Sequence, residues 1–143
     1  GNCPDTGRST CGLAVFVGGS LIVHKSKLQH ITTLSSAEAE LVALVLAICE
    51  AKWVCDMLWE LVRVRGLVRA YTDCMSVVHM ANHQKHLQRT RHLNFQRYFL
   101  KDEVSEDRLS VENIPGKFNF TDMFTKPLNR VLFERNMETL NVC

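Results

Sequence analysis

Proline is scarce in this chain, 3 in 143 residues, and between Ser35 and Arg65 both proline and glycine are missing. Nothing there interrupts a helix, so residues 35 to about 63 are expected to be helical, as one long helix or two in succession, with Gly66 as the stop. The six cysteines, Cys3, Cys11, Cys49, Cys55, Cys74 and Cys143, show no CxxC spacing. That pattern speaks against a zinc ribbon or a disulfide framework and for free, buried thiols with no disulfide partner. No apolar run reaches the length of a membrane span: the richest, "LVALVLAIC" from Leu41 to Cys49, has Glu40 and Glu50 at its ends. With no signal peptide or transmembrane segment in view, an intracellular setting, cytoplasmic or nuclear, is expected. The net charge of +2 is too small to identify a nucleic-acid binder, and the local distribution must decide.

At 46 % hydrophobic content the chain is long enough for one core and too short for two ordinary domains, so residues 1–143 are read as a single domain. It opens in a loop, "GNCPDTGRST". Two β-rich runs follow, Leu13 to Val17 and Leu21 to His24, joined by Gly18-Gly19-Ser20 in the manner of a tight hairpin. After the long helix, "LVRAYTD" (Leu67 to Asp73) reads as a buried strand, Cys74 to about Asn82 as a short helix, and residues 91–104 as a third helix with Leu93, Phe95, Phe99 and Leu100 for its apolar face. Leu109 to Ile114 is a last strand closed by Pro115-Gly116, and the remainder is expected to be helical with a break near Pro127, residues 129–143 forming a tail. The order β-β-α-β-α-α-β-α predicts a mixed α/β fold.

Two glutamates stand one residue apart in "TLSSAEAEL". With Ser35 as N-cap, Glu38 falls at the third helical position and completes a capping box, a structural role worth roughly 1 kcal/mol. Glu40 heads an apolar stripe of Leu44, Ala47 and Ala51, where a carboxylate is costly unless paired or bound to a cation. Glu38 heads an apolar stripe too, and the capping box breaks the tie in favour of Glu40 as the residue kept for chemistry. Asp73 stands at the C-terminal end of a strand, the edge where ligand-binding groups gather, and reads equally as an N-cap for the next helix. Asp122, in "FNFTDMFTKPL", reads alone as a solvated or capping acid. Together Glu40, Asp73 and Asp122 would repel one another and call for a divalent ion with a taste for oxygen, such as Mg²⁺.

The motifs "CPDTGRST", "TLSSAEAELVAL", "YTDCMSVV", "RTRHLNFQRYFLKDEV" and "FTDMFTKPL" resemble, in order and spacing from Cys3 to about Leu128, the ribonuclease H domain of copia-type retrotransposon Pol polyproteins. The resemblance implies a ribonuclease H-like mixed sheet flanked by helices, with Glu40, Asp73 and Asp122 as catalytic metal ligands. It also implies two Mg²⁺ ions roughly 4 Å apart, with Mn²⁺ as the alternative, hydrolysing the RNA strand of an RNA–DNA hybrid. The implied partners are that hybrid and the reverse transcriptase portion of the same polyprotein, with no membrane, and the implied setting is a virus-like particle in the cytoplasm. The family's first catalytic aspartate lies on a strand just before "CPDT", whereas this sequence starts within that loop, so the domain is expected to be N-terminally truncated, its first, central strand missing and two strand edges left unpaired.

Between Cys74 and Leu100 there is no acidic residue, while Lys85, Arg89, Arg91 and Arg97 accompany His79, His83, His86 and His92. Lys85, Arg89, Arg91 and His92, the last matching a family position, are expected to contact nucleic acid without base specificity; the alternative is a solvated basic surface. His79, His83 and His86 are at helical spacing for a metal, but solvent-facing histidines explain them as well. Phe95, Tyr98, Phe99, Phe118, Phe120 and Phe124 can stack on bases, though most are expected in the core with Trp53 and Trp59. The acidic run Asp102, Glu103, Glu106 and Asp107 reads as a solvated helix end and turn. Besides a ribonuclease H, two functions stay open: an inactive retrotransposon remnant that binds nucleic acid or packs beside reverse transcriptase, and an integrase-like enzyme, for which the acid order Glu40, Asp73, Asp122 is wrong.

Overall fold

The computed structural model describes residues 8–30, 33, 35–82 and 94–140. Its first hairpin pairs β1 (Thr10–Val17) with β2 (Ser20–Leu28), longer on both sides than the apolar runs alone suggest. The turn is Gly18-Gly19, both at positive φ (58° and 84°), the combination that matches the twist of a two-residue hairpin. Cys11, Leu13 and Val15 alternate inward along β1, and β2 presents a mostly exposed face.

One helix, α1 (Ser36–Val62), covers the long glycine-free stretch. It ends earlier than Gly66: Arg63 takes the left-handed cap at φ 57° and its N–H donates to the Trp59 carbonyl. The guanidinium groups of Arg63 and Arg65 stand 5.4 and 4.5 Å from the Trp59 ring centroid, so cation–π contacts hold the chain where glycine was expected to turn it. Trp53, expected in the core, is 60 % exposed.

The next strand, β3 (Val68–Thr72), pairs in parallel with β4 (Leu109–Asn113), and α2 (Met75–Asn82) and α3 (Asn94–Ser105) make the crossover. Two 3₁₀ turns, Gly116–Phe118 and Phe120–Phe124, occupy the region expected to be α-helical, and α4 (Arg130–Thr139) follows. The Asn129 side chain caps α4 by accepting from Leu132 N–H at 2.9 Å. Among the described residues the chain is mixed α/β, with four α-helices and two small two-stranded sheets, β1-β2 and β3-β4. Among the described residues no helix is long and apolar enough to cross a membrane.

The core has two parts, and α1 belongs to both. Leu41, Leu44 and Ile48 pack with Val77, Ala81, Leu100, Leu109 and Val111, while Val54, with Ala47, Ala51 and Leu58, packs on Leu13 and Val15 of the hairpin. A helix apolar on two faces is what two partners require. Between the sheets lies a cleft of about 780 Å³ lined by β1, β3 and one face of α1. Among the described residues β1 pairs only with β2 and β3 only with β4, so each turns an unpaired edge to this cleft. For that reason β3 is less buried than a central strand, with Tyr71 50 % exposed, as is Leu67 just before it.

Side-chain placement differs from the sequence expectation in α3. Its inward row is Arg97, Leu100 and Glu103, three residues apart; Phe95 lies about 200° round the helix from Arg97 and is 89 % exposed. Glu103, expected in a solvated turn, is buried at 6 % because it falls one turn after Leu100. It accepts hydrogen bonds from Lys52 of α1 and from Arg108 Nε at 3.1 Å. Burial alone would raise its pKa, but these bonds and the two positive charges outweigh it and hold the carboxyl below its ordinary value. Of the cysteines, Cys11 is buried, Cys55 and Cys74 are half-buried and Cys49 is exposed, against the expectation of uniform burial; all four are free.

Gly12 and Glu103 each generate an expectation. A Cβ at Gly12 would stand 2.7 Å from the Thr121 carbonyl oxygen and 2.8 Å from Phe124 Cβ, so Gly12→Ala should cost about 1–3 kcal/mol in denaturant unfolding by pushing the second 3₁₀ turn off β1. Glu103→Gln should cost about 1–3 kcal/mol at neutral pH. Because the folded carboxyl has the lower pKa, its contribution is present above the ordinary carboxylate range and is lost as pH falls through the depressed value, so the melting temperatures of wild type and variant should converge in acid.

Candidate metal-binding acidic corner

The start of α1 separates the two glutamates. Ser35, extended at φ −148°, is the N-cap: its Oγ accepts from Glu38 N–H at 3.2 Å, and its carbonyl accepts from Ala39 N–H. Glu38 is buried at 7 %. Gln29, just past β2, donates to the Ala39 carbonyl at 2.8 Å and ties the hairpin to this end of the helix. Glu40, two positions on and about 200° round the axis, is exposed and lines the cleft.

Asp73 follows β3 at the end that β3 and β4 share, where Ile114 N–H and Asn113 Nδ2 both donate to the Thr72 carbonyl. It does not cap α2. That position belongs to Cys74, whose carbonyl accepts from Val77 and Val78. Asp73 Oδ2 instead lies 3.2 Å from where a Cβ on Gly116 would stand, so the missing side chain at Gly116 gives the carboxylate its room.

Asp122 sits in the second 3₁₀ turn, which is pressed against the hairpin. Ser26 Oγ donates to the Phe124 carbonyl at 2.5 Å, Phe120 meets Phe16 edge-on at 5.4 Å, and Phe124 stacks on His24 at 5.6 Å. The Asp122 carbonyl accepts from Thr125 and Lys126 N–H, and its carboxylate Oδ2 takes an ion pair from Lys126 Nζ at 2.6 Å.

Glu40 lines the cleft, and Asp73 and Asp122 stand near enough to act on it through their charge. The Glu40 pKa is raised: protein atoms crowding the carboxyl contribute most although the side chain is exposed, then the negative charges of Asp73 and Asp122, while Lys126 pulls it back. Among the described residues no three of His, Cys, Asp and Glu stand close enough to hold a metal ion by themselves. The acids form a loose electronegative corner whose donors are all carboxylate oxygens, the chemistry that suits Mg²⁺ or Mn²⁺, and not a closed ligand shell.

The basic residues Lys85, Arg89, Arg91 and His92, and with them His83 and His86, lie outside the described residues. The Lys126 contact was not anticipated from the sequence, although Asp122 and Lys126 are four apart, the spacing at which an acid and a base meet across a helical turn.

No family model and no solved structure matches the chain. It is 29 % identical over 130 residues to the retrovirus-related Pol polyprotein from transposon TNT 1-94 of Nicotiana tabacum, covering 91 % of this chain and 10 % of that protein. To the Pol polyprotein from transposon RE2 of Arabidopsis thaliana it is 27 % identical over 135 residues, covering 94 % and 9 %. The transposon Ty1-NL2 Gag-Pol polyprotein of Saccharomyces cerevisiae is 31 % identical over 124 residues, 85 % of this chain and 7 % of that one. The chain spans a tenth or less of the curated relatives it matches, and it is a distant homologue of a segment of about 130 residues within copia/Ty1 retrotransposon Pol polyproteins.

Proposed function

We propose that the chain is the ribonuclease H portion of such a polyprotein, hydrolysing the RNA strand of an RNA–DNA hybrid beside a reverse transcriptase. The observation that supports the reading is that Glu40 lines the cleft while Asp73, after a strand end, and Asp122, in a 3₁₀ turn, lie near enough for their negative charges to raise its pKa. The cleft supports it in a second way. A strand laid between β1 and β3 would pair both open edges and join the two sheets into one of five strands, the ribonuclease H-like order, and if it ran parallel to β3 it would finish among the acids.

The three carboxylates would hold two divalent ions, Mg²⁺ or Mn²⁺, which supply an activated water and charge stabilisation for the leaving oxygen when bound. Glu40, Asp73 and Asp122 serve as ligands and not as nucleophiles. Glu38 is buried behind the cap, and its backbone N–H donates to Ser35 Oγ. A fourth acid on the inserted strand would complete the ligand set that the three leave open. A second reading is an inactive remnant that binds nucleic acid or packs against reverse transcriptase, in keeping with the loose spacing of the acids among the described residues.

Mg²⁺-dependent cleavage of a labelled RNA–DNA hybrid separates the two. The chain is compared with a version extended at its N-terminus by a β-strand bearing an aspartate, each first checked for folding. Cleavage by the extended chain supports the enzyme, and its absence from both folded chains selects the remnant. In the active form, Glu40→Gln or Asp122→Asn should lower the cleavage rate at least a hundredfold, an order of magnitude set by the loss of one electrostatic group at a reacting centre. Glu38→Gln should lower the melting temperature and leave the rate within a few-fold, and equal loss of rate from both glutamate changes would overturn the division of labour between them.

The raised Glu40 pKa has a stability counterpart. Folding favours the protonated form, so ionised Glu40 opposes the fold above its raised pKa and has no such effect below the ordinary carboxylate range. Without divalent ions, Glu40→Gln should therefore melt higher than wild type at neutral pH, and the difference should vanish in acid.

A further inference from the structure

The cleft between the two sheets is walled by backbone. β1 stands on one side and β3 on the other, and among the described residues neither has a second strand beside it, so each offers the cleft a row of N–H and C=O groups. The floor is one row of α1, Glu40, Ala43, Ala47 and Ala51, with Cys55 at its far end. From Glu40 to Cys55 the helix climbs 15 residues, about 22 Å along its axis. An extended chain covers that distance in about six or seven residues, close to the eight of β1.

The chemistry of the walls narrows what can fill the space. Of the described residues that line it, Glu40 and Arg69 alone carry charge, so it is not the basic groove that a phosphate backbone requires. A small apolar molecule would cover the floor and leave both rows of backbone groups without partners, a cost for each group buried and left unpaired. An extended polypeptide meets both demands: its N–H and C=O groups alternate between two neighbours, and every second side chain turns to the floor. The walls are already seated. Leu13 and Val15 of β1 pack with Val54 of α1, and Val68 and Ala70 of β3 pack on the cluster that holds Leu41, Leu44 and Ile48. The second 3₁₀ turn braces β1 where Thr121 and Phe124 press on Gly12. Little ordering of the acceptor is left for binding to supply.

We propose that the cleft is a strand-binding site for a separate polypeptide chain: it takes an extended segment of about six to eight residues, uncharged through its middle, with a β-branched apolar side chain at every second position. Those side chains face Ala43, Ala47 and Ala51, whose single methyl groups leave depth for valine or isoleucine. The alternate ones turn to the opposite face, the side of Gly12 and the second 3₁₀ turn. The bound strand joins β1-β2 and β3-β4 into one sheet, so the hairpin gains a hydrogen-bonded tie to the rest of the chain in addition to its packing on α1. A strand carried at the N-terminus, as in the function proposed above, supplies in the same chain what a second chain can supply to this acceptor. The inference concerns binding alone and stands whether or not the chain cleaves RNA.

The experiment uses the full chain and a labelled peptide of about eight residues, valine alternating with threonine and a lysine at each end. A control peptide carries proline in place of its central threonine. Binding is followed by fluorescence anisotropy, its place by backbone amide hydrogen exchange, and the oligomeric state by sedimentation. The peptide should bind saturably to the monomer, raise its melting temperature with concentration, and protect amides of both β1 and β3. The proline peptide should bind roughly tenfold or more weakly, because it lacks one N–H that a strand between two neighbours must donate. Ala47→Phe or Ala43→Phe, each checked for helical circular dichroism, fills the floor and should weaken binding to a similar degree, while Leu46→Phe on the exposed side of α1 should bind as wild type does. Equal affinity for the proline peptide would show an apolar pocket and overturn the inference. So would protection confined to β2 or β4, or no saturable binding by the folded wild type. A dimer whose β1 and β3 amides are protected without peptide would overturn it in favour of a second copy of this chain. None of these outcomes involves cleavage, so failure here and failure of the ribonuclease reading are separate results.

Discussion

The packing of α1 against two separate sheets is the constraint on which the rest of the structure depends. Leu41, Leu44 and Ile48 face the parallel pair and its helices; Ala47, Ala51 and Val54 face the hairpin. Among the described residues β1 and β3 do not pair with each other, and the helix and the second 3₁₀ turn make the hairpin's main contacts with the rest of the chain. The position of Glu40 relative to Asp73 and Asp122 is therefore a matter of helix placement and not of sheet hydrogen bonding. Ser35 at the cap and Gln29 across the helix start decide where the first turn sits, and with it the acid.

Electrostatics at this corner work against the fold. The Glu40 carboxyl is partly desolvated at the cleft with the charges of Asp73 and Asp122 nearby, and Lys126 pairs with Asp122 directly. Elsewhere the chain treats a buried acid differently: Glu103 receives Lys52 and Arg108 together, so its negative charge is fully engaged. Among the described residues, the contrast is between an acid that two cations engage and an acid, Glu40, whose nearest charges include two further carboxylates.

Much of this was legible in the sequence because the signals were local. The Gly18-Gly19 turn, the cap at Ser35 and the unbroken helix after it are each set by residues within a few positions of one another. What was not legible depended on partners distant in the chain. Glu103 looks like part of a solvated acidic run until Lys52, 51 residues away, is brought to it. Phe95 and Trp53 look like core residues until the faces of α3 and α1 that find partners turn out to be others. Asp73 looks like a cap because the helix was expected to begin at Cys74; a start one residue later hands the cap to Cys74 and frees the carboxylate. The cleft belongs to the same class, since an unpaired edge exists only relative to the strand that is not beside it.

The two tryptophans of the chain, Trp53 and Trp59, both lie on the last part of α1, one open to water and the other beneath the guanidinium groups of Arg63 and Arg65. From Glu40 to Trp59 the helix climbs 19 residues, about 28 Å along its axis. Intrinsic fluorescence is therefore an optical gauge of the far end of α1, sensitive to unwinding of its terminus and remote from the acids. A reporter for the corner has to be introduced close to it, and the two ring contacts of the second 3₁₀ turn, Phe16–Phe120 and His24–Phe124, mark places from which one can be built.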